Sequence, residues 1–176
     1  MEMILKNGKP LEVRHAVLTD AQGIVDYIHI VAGESDNLSF GADAVPITLD
    51  NEMIYLKGLE DAVTSAHFVA IYEGEIIATS NISAKMRPRM AHVGSLGISV
   101  RKTYWYMGIG FILMTMMIDW AKSTGVLKKI NLTVRSDNAN AIALYKKCGF
   151  RYVGTLHDEM RIAGESVDLK AMELLF

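Results

Sequence analysis

The sequence has little of several features that define other classes of protein. It contains a single cysteine, Cys148, so no intramolecular disulfide can form, and such a chain suits a reducing compartment. Its 176 residues carry 18 basic and 20 acidic side chains, which gives a net charge of -2 and a pI of about 6.2. This balance argues against a general nucleic-acid-binding surface.

Long apolar runs are missing as well. The longest one, residues 107–118, contains Gly and Thr, ends at Asp119 and is too short to span a bilayer. The opening residues, Met1–Leu5, include Glu2 and lack the basic region and the apolar core of a secretory signal. We therefore expect a cytoplasmic protein that acts neither on membranes nor on nucleic acid.

The composition that remains is that of a folded, enzyme-sized chain. Hydrophobic residues make up 51% and charged residues 22%, and the mean hydropathy is +0.20. Such a chain can bury an ample core and has no signature of disorder. We expect residues 1–176 to form one domain; no metal site is predicted, and a homodimer is left open.

Hydrophobic periodicity and turn residues predict an alternation of strands and helices. The predicted strands are 11–17, 68–72, 76–83, 93–100, 130–134, 151–162 and 167–175. Helices are predicted to begin at Asp20, at Asp50, at Gly108 and at Asp137 or Asn138, and residues 33–47 should form a loop or a short helix. The second and third strands should pair as a hairpin. The pattern indicates an α/β chain.

Gly108 and Gly110 lie between a strand pattern and a long apolar helix pattern. A glycine turn at a helix start leaves backbone N–H groups unpaired at the positive end of the helix, which suits a phosphate or a pyrophosphate. A dinucleotide fingerprint would need a third glycine at Leu113, and a nucleotide P-loop would need Lys at Phe111. Taken alone, the glycine pair is equally compatible with a plain strand-to-helix connection.

A second segment, residues 134–150, decides between these interpretations. Asp137 or Asn138 can cap a helix there, and Gly149 can end it. With the glycine turn, this segment resembles the GCN5-related N-acetyltransferases (GNAT), in the branch that includes the ribosomal-protein N-acetyltransferases. The residues that carry the resemblance are Asn138, Ala141, Ile142, Leu144, Tyr145, Lys147, Gly149 and Phe150, following Leu96, Ile98 and Val100.

The resemblance implies a fold and an activity. The fold would be a mixed, mostly antiparallel sheet of about seven strands flanked by helices. The activity would be direct transfer of an acetyl group from acetyl-CoA to a primary amine of a small molecule or of a protein N-terminus. A non-catalytic acyl-CoA-binding module, kept for sensing or assembly, is the alternative.

The resemblance also assigns the cofactor-binding residues. The backbone of Ile98, Ser99 and Val100 would pair with the pantetheine arm of the cofactor, and Asn138 would hydrogen-bond the arm from the opposite side. The pyrophosphate would be held by the amides of a segment that we call the pyrophosphate loop, which comprises Trp105, Tyr106, Met107, Gly108, Ile109, Gly110 and Phe111.

This pyrophosphate loop departs from the family pattern at three positions. Trp105 replaces a frequent Gln or Arg, Tyr106 lies where glycine is common, and Met107 lies where a basic residue is frequent. The phosphate charge would then be met by backbone amides, by the helix dipole and by Arg101 or Lys102.

Tyr145 is the predicted general acid, because the resemblance places it near the cofactor sulfur. A phenol with a pKa of about 10 stays protonated at neutral pH and can donate its proton, or a hydrogen bond, to a thiolate whose conjugate acid has a pKa of about 8.5. On these values the proton transfer is near balance. The structural alternative is a core tyrosine on a helix face.

The general base and the acceptor are the least determined parts of the prediction. Many relatives carry a glutamate where this chain has Ser95, so His92, Glu34 and Asp36 remain as candidates. No Lys or Arg occurs between Arg14 and Lys57, a stretch that we call the acidic segment. These acidic residues should attract a cationic amine, unless they form only a solvated surface. They are Asp20, Asp26, Glu34, Asp36, Asp43, Asp50 and Glu52.

Overall fold

A computed structural model describes residues 2–4, 8–43, 45, 47–85 and 87–176. The strands are β1 (Glu2–Ile4), β2 (Pro10–His15), β3 (Ser65–Tyr72), β4 (Glu75–Ala84), β5 (Val93–Val100), β6 (Lys129–Arg135), β7 (Arg151–Ile162) and β8 (Glu165–Leu175). The α-helices are α1 (Ala21–Ala32), α2 (Leu49–Leu59), α3 (Ile109–Ser123) and α4 (Ala139–Lys147).

All eight strands belong to one sheet with the order β1-β2-β3-β4-β5-β6-β8-β7. Every neighbouring pair is antiparallel except β5 and β6, which are parallel. The predicted mixed, mostly antiparallel sheet flanked by helices is therefore confirmed, as is the hairpin of β3 and β4. The additional strand is β1, whose three residues are too few to show a strand period in the sequence.

The two faces of the central strands are covered by different helices. Phe68 of β3 belongs to the larger core cluster together with Leu113 and Met117 of α3. Val69, which points to the opposite face, packs with Ile24 of α1 and Leu56 of α2. Because both faces are buried, β3 is a nearly continuous apolar run instead of an alternating one. The apolar, methionine-rich α3 serves core packing.

The helix starts agree with the sequence at one position and differ at another. Of the two candidate caps for α4, Asn138 is the N-cap. Asp50 was predicted to cap α2, but Thr48 does so, since its hydroxyl accepts a hydrogen bond from the Asn51 N–H at 3.3 Å. Asp50 lies in the first turn instead, where a carboxylate favours the helix dipole.

The loop predicted at 33–47 consists of turns and bends in its described part, and positions 44 and 46 lie outside the described residues. Met1 and Leu5 of the opening segment also lie outside them. No helix in the described part of the chain is long and apolar enough to cross a membrane.

Strands β5 and β6 separate after a short paired stretch. Their parallel pairing covers only Val93–Ser95 against Lys129–Asn131, whereas β4 pairs with β5 up to Val100. Residues 96–100 therefore keep one edge that β6 does not pair. This open edge leads through a short 3-10 turn at Lys102–Tyr104 into α3.

Candidate active site

A cavity of about 910 Å³ lies along the open edge of β5. One wall is made by β5 with the start of α3 and the start of α4, and another by α1, α2 and the loop between them. The cavity thus connects the glycine turn at Gly108 and the segment that begins at Asn138 with the region that was predicted to hold the acceptor.

Most of the predicted site residues line this cavity. They are Glu34, Ile98, Ser99, Val100, Trp105, Tyr106, Gly108, Ile109, Gly110, Phe111, Asn138 and Tyr145. Met107 and His92 are not among the lining residues. The Met107 side chain packs against the larger core cluster, so this residue can offer only its backbone to a ligand.

His92 lies at the opposite end of β5 from the open edge. Its side chain is exposed, and its carbonyl accepts hydrogen bonds from the N–H groups of Lys128 and Lys129. This position gives no support to His92 as the general base.

Glu34 lines the cavity, but both of its carboxylate oxygens are engaged. Oε2 accepts a hydrogen bond from the Lys102 N–H at 2.6 Å, and Oε1 lies 3.6 Å from Nε of Arg101. Glu34 therefore ties the end of α1 to the segment that follows β5. Arg101 also contacts Glu75 at 3.4 Å, so this arginine is occupied by carboxylates and does not serve as the free cation expected for phosphate.

The Ser99 side chain anchors β5 to α1. Its Oγ accepts a hydrogen bond from the Tyr27 hydroxyl at 2.8 Å and lies 3.5 Å from Oγ1 of Thr79. Burial raises the pKa of Tyr27, so the phenol remains a donor. At the end of the strand, the Trp105 indole N–H donates to the Val100 carbonyl at 2.7 Å. These two bonds fix the strand whose backbone would pair with pantetheine.

The pyrophosphate loop presents unpaired backbone donors at the start of α3. Gly108 is the N-cap, no side chain caps the helix, and the first recorded helical bond runs from the Ile112 N–H to the Gly108 carbonyl. Among the described residues, no hydrogen bond is recorded for the N–H groups of residues 106–111. The positive end of α3 is thus available to an anion.

The two glycines of the loop are required for different reasons. Gly108 has φ +89° and nothing within 4 Å of an added Cβ, so its requirement is conformational. An added Cβ at Gly110 would meet Cδ2 of Leu144 at 3.1 Å, so this glycine permits the close packing of α3 on α4.

Tyr106 shows why glycine is common at its position. It adopts φ +64°, a left-handed conformation that costs a side-chain-bearing residue about 1 kcal/mol. The side chain is exposed, and its hydroxyl accepts a hydrogen bond from Asn140 at 3.0 Å. The ammonium group of Lys147 also lies close to the pyrophosphate loop, because its Nζ is 4.4 Å from the centre of the Phe111 ring.

Asn138 and Tyr145 come from the two ends of α4. The side-chain oxygen of Asn138 accepts the Ala141 N–H at 3.1 Å, which leaves its amide N–H groups for a ligand. Tyr145 is 7% exposed and packs against Phe150, and no hydrogen bond to its hydroxyl is recorded among the described residues. Burial raises the pKa of Tyr145 to about 12. The phenol is therefore a weaker acid than its sequence alone suggests, and transfer of its proton to a thiolate is uphill instead of balanced.

Three polar side chains that line the cavity were not predicted as site residues. Glu52 of α2 and His67 of β3 are 6% and 8% exposed, and Tyr55 lies one turn after Glu52. Oε1 of Glu52, Nδ1 of His67 and the Tyr55 hydroxyl are all buried without a hydrogen bond. Glu52 had been counted only as one charge of the acidic segment, because its burial depends on contacts between α2 and β3 that are distant in sequence.

Part of the charge in the acidic segment is compensated. Asp20 makes two hydrogen bonds with the Arg14 guanidinium, at 2.6 and 2.9 Å, and Glu34 is held as described above. In the described part of the chain, no group of three or more His, Cys, Asp or Glu side chains is placed to hold a metal ion.

Comparison with known proteins assigns this arrangement to a family. The model of the acetyltransferase (GNAT) family matches residues 39–150. The chain is 33% identical over 118 residues to an L-amino acid N-acetyltransferase of Escherichia coli, which covers 67% of the chain and 73% of the relative. It is 29% identical over 161 residues to an N-alpha-acetyltransferase of Sulfurisphaera tokodaii, with 86% of each covered.

A solved structure agrees over nearly the whole chain. A GNAT-family acetyltransferase from Streptococcus pneumoniae superposes with a TM-score of 0.91 at 31% identity, over 94% of this chain and 99% of that one. The chain therefore belongs to the acetyltransferase (GNAT) family and is an acetyl-CoA-dependent N-acetyltransferase.

Proposed function

We propose that the protein transfers the acetyl group of acetyl-CoA directly to a primary amine of a small molecule or of a protein N-terminus, and that residues 1–176 form one such domain. The observation that carries the proposal is the open edge of β5, which leads directly to the unpaired N–H groups of α3. An extended thioester arm with a pyrophosphate at one end matches this sequence of features.

In this proposal the arm lies beside Ile98, Ser99 and Val100 as an added strand. Backbone groups of this segment that face the open edge would hydrogen-bond the pantetheine amides, as a neighbouring strand would, although the Val100 carbonyl is already bonded to the Trp105 indole N–H. The pyrophosphate would accept hydrogen bonds from the backbone of residues 106–111 at the positive end of α3. Asn138 would donate its amide N–H to the arm from the side of α4.

Tyr145 would act at the sulfur. As the nitrogen of the neutral amine attacks the thioester carbonyl, a C–N bond forms and the C–S bond breaks. The nitrogen then loses a proton to water, and the thiolate leaves. Since the phenol stays protonated, it can stabilise the departing thiolate by hydrogen bonding throughout the step.

Direct transfer is favoured over an acetylated enzyme. The sole cysteine, Cys148, does not line the cavity, and burial raises the pKa of its thiol. A buried thiol of this kind is a poor nucleophile. This supports a ternary complex in which the amine meets the thioester directly.

The names of the two curated relatives describe N-acetylation of an L-amino acid in one case and N-alpha-acetylation in the other. This supports amino acids and peptide N-termini as the first acceptors to test. The non-catalytic alternative is less well supported. In this proposal the buried phenol of Tyr145 lies at the cofactor sulfur without a hydrogen-bond partner in the described part of the protein, and a protein that only senses acyl-CoA has no use for it.

The experiment is to incubate the protein with acetyl-CoA and, in parallel, with L-amino acids, peptides with free N-termini and aliphatic amines, and to detect acetylated products by mass spectrometry. The proposal expects a product that depends on both protein and acetyl-CoA. Tight binding of acetyl-CoA without any acetylated amine would instead favour the sensor.

A further inference from the structure

Glu52, His67 and Tyr55 form a polar cluster, called the far cluster below, on the cavity wall made by α2 and β3. Each presents a buried oxygen or nitrogen that has no hydrogen bond within the protein. Buried polar atoms are normally paired, and an unpaired one costs about 1–3 kcal/mol. Because all three residues line one cavity, a ligand that enters the cavity would lie beside them.

The far cluster has the chemistry of a cation site. Nδ1 of His67 lies 3.7 Å from Oε1 of Glu52, which is too long for a hydrogen bond. Burial lowers the pKa of His67 to about 4, so the imidazole is neutral at pH 7 and does not balance the carboxylate. Among the described residues that line the cavity, Arg135 is the only Lys or Arg, and it is bound to Asp137. A carboxylate without a cation favours a cationic ligand.

The register of the sheet gives the distance from the far cluster to the reaction site. His67 of β3 faces Asn81 of β4, and Asn81 faces Gly97 of β5. Asn81 lies over Gly97, where an added Cβ would meet Oδ1 of Asn81 at 2.7 Å. With strands spaced by about 4.8 Å, His67 is about 10 Å from β5, and the thioester, one further spacing away at the open edge of β5, would be about 14 Å from His67.

Part of the wall around the far cluster is apolar. Ile24 and Ile28 of α1 and Ile47 before α2 line the same cavity, together with the polar Asn81. An acceptor reaching the cluster would therefore have hydrocarbon side chains on one side of its path. A methylene chain fits this passage better than a polar backbone does.

We propose that the far cluster binds a second ammonium group of the acceptor, about 14 Å from the amine that is acetylated. The preferred acceptors are then linear diamines or longer polyamines, with Glu52 accepting hydrogen bonds from the distal ammonium and with His67 and Tyr55 beside it. The inference rests on the proposed function, because it places the first amine at the thioester.

The test compares α,ω-diaminoalkanes, from diaminobutane to diaminotetradecane, with alkyl monoamines of the same lengths. For the wild-type protein, kcat/KM should pass through a maximum at a nitrogen-to-nitrogen distance of about 14 Å. At that length the diamine should exceed the matched monoamine by about 10- to 100-fold, as expected for one hydrogen bond to a charged group.

Glu52→Gln is the decisive variant, because it removes the charge and keeps the shape of the side chain. It should abolish the preference for diamines and leave monoamine kinetics and acetyl-CoA affinity unchanged. Glu60→Gln, the same change at an exposed position at the end of α2, should behave like the wild type. Thermal shift with diaminodecane gives a second reading that needs no turnover, and only the variant Glu52→Gln should lose the shift.

Each contrary result has its own meaning. Equal use of diamines and monoamines by the wild type, with no thermal shift, overturns the proposal while acetyl transfer stands. A Glu52→Gln variant that loses monoamine and diamine activity alike also overturns it, since Glu52 would then serve the reacting amine. If no amine is acetylated but diaminodecane shifts the wild type alone, the cation site stands and the proposed function fails.

Discussion

The side-chain oxygen of Asn138 accepts a hydrogen bond from the backbone N–H of Ala141 at 3.1 Å. One end of this amide therefore caps α4, and the other end is left to face the cavity. Cap and ligand donor are thus combined in one residue. Substitutions can separate the two roles, because aspartate is an equally good cap but has no N–H to donate.

We expect Asn138→Asp to retain the stability of the wild type and to weaken acetyl-CoA binding, whereas Asn138→Ala should lose both. The alanine variant should be less stable by about 1 kcal/mol, the usual loss for a missing N-cap. Chemical denaturation and calorimetric titration with acetyl-CoA measure the two quantities. Full cofactor affinity in the aspartate variant would show that Asn138 is only a cap.

Tyr106 holds a left-handed backbone, which glycine adopts without cost. We expect Tyr106→Gly to be more stable than Tyr106→Ala by about 1 kcal/mol, because both variants lose the side chain and differ only in their tolerance of φ +64°. The difference in denaturation midpoints gives this value. Equal stability of the two variants would mean that the loop relaxes to another conformation.

Tyr145→Phe should lower kcat by about 100-fold and leave the affinity for acetyl-CoA nearly unchanged, because the hydroxyl acts on the departing thiolate. Because burial raises the pKa of Tyr145 to about 12, its ionisation should cause no loss of wild-type rate between pH 7 and about 10. Steady-state kinetics over this pH range test both points. A fully active Tyr145→Phe enzyme would reduce Tyr145 to a packing residue.

His67 should make the fold sensitive to mild acid. Its pKa is lowered to about 4 by burial, compared with 6.5 when unfolded, so the unfolded chain binds a proton first. Above pH 6.5 the contribution of His67 to the free energy of unfolding is constant. Below pH 6.5 the free energy of unfolding falls by up to about 1.4 kcal/mol for each unit by which the pH decreases towards 4.

His15 acts in the same direction, and Glu52 acts in the opposite one because burial raises its pKa. The informative quantity is therefore the difference between the wild type and His67→Gln. Denaturant unfolding at pH 7, 6 and 5 should show a shallower decline for the variant. Parallel declines would indicate that His67 is already protonated in the folded protein.

The strand, glycine turn and helix around Gly108 could be predicted from the sequence because each is a local pattern. The predicted bounds of β5, 93–100, are those of the structure, since an alternating run followed by a turn specifies its own ends. The same holds for the Asn138 cap and for the placement of Tyr145 in α4, the helix that Asn138 caps. Short-range chemistry determines these features.

The acceptor side of the cavity could not be predicted in this way. Glu52 and His67 are adjacent only because α2 packs over β3, and Glu34 is neutralised by Arg101 across 67 positions of chain. A count of acidic residues between Arg14 and Lys57 does not distinguish a carboxylate tied to arginine from one buried in a cavity. Such pairings follow from tertiary packing, which one sequence does not display.

The central claim is that an amine attacks acetyl-CoA held along β5, and release of the CoA thiol tests it most directly. The account predicts rapid thiol release when acetyl-CoA and a suitable amine are both present, with one acetylated amine formed per thiol and only slow release from acetyl-CoA alone. Thiol release that is the same with and without every amine, while acetyl-CoA binds normally, would contradict it.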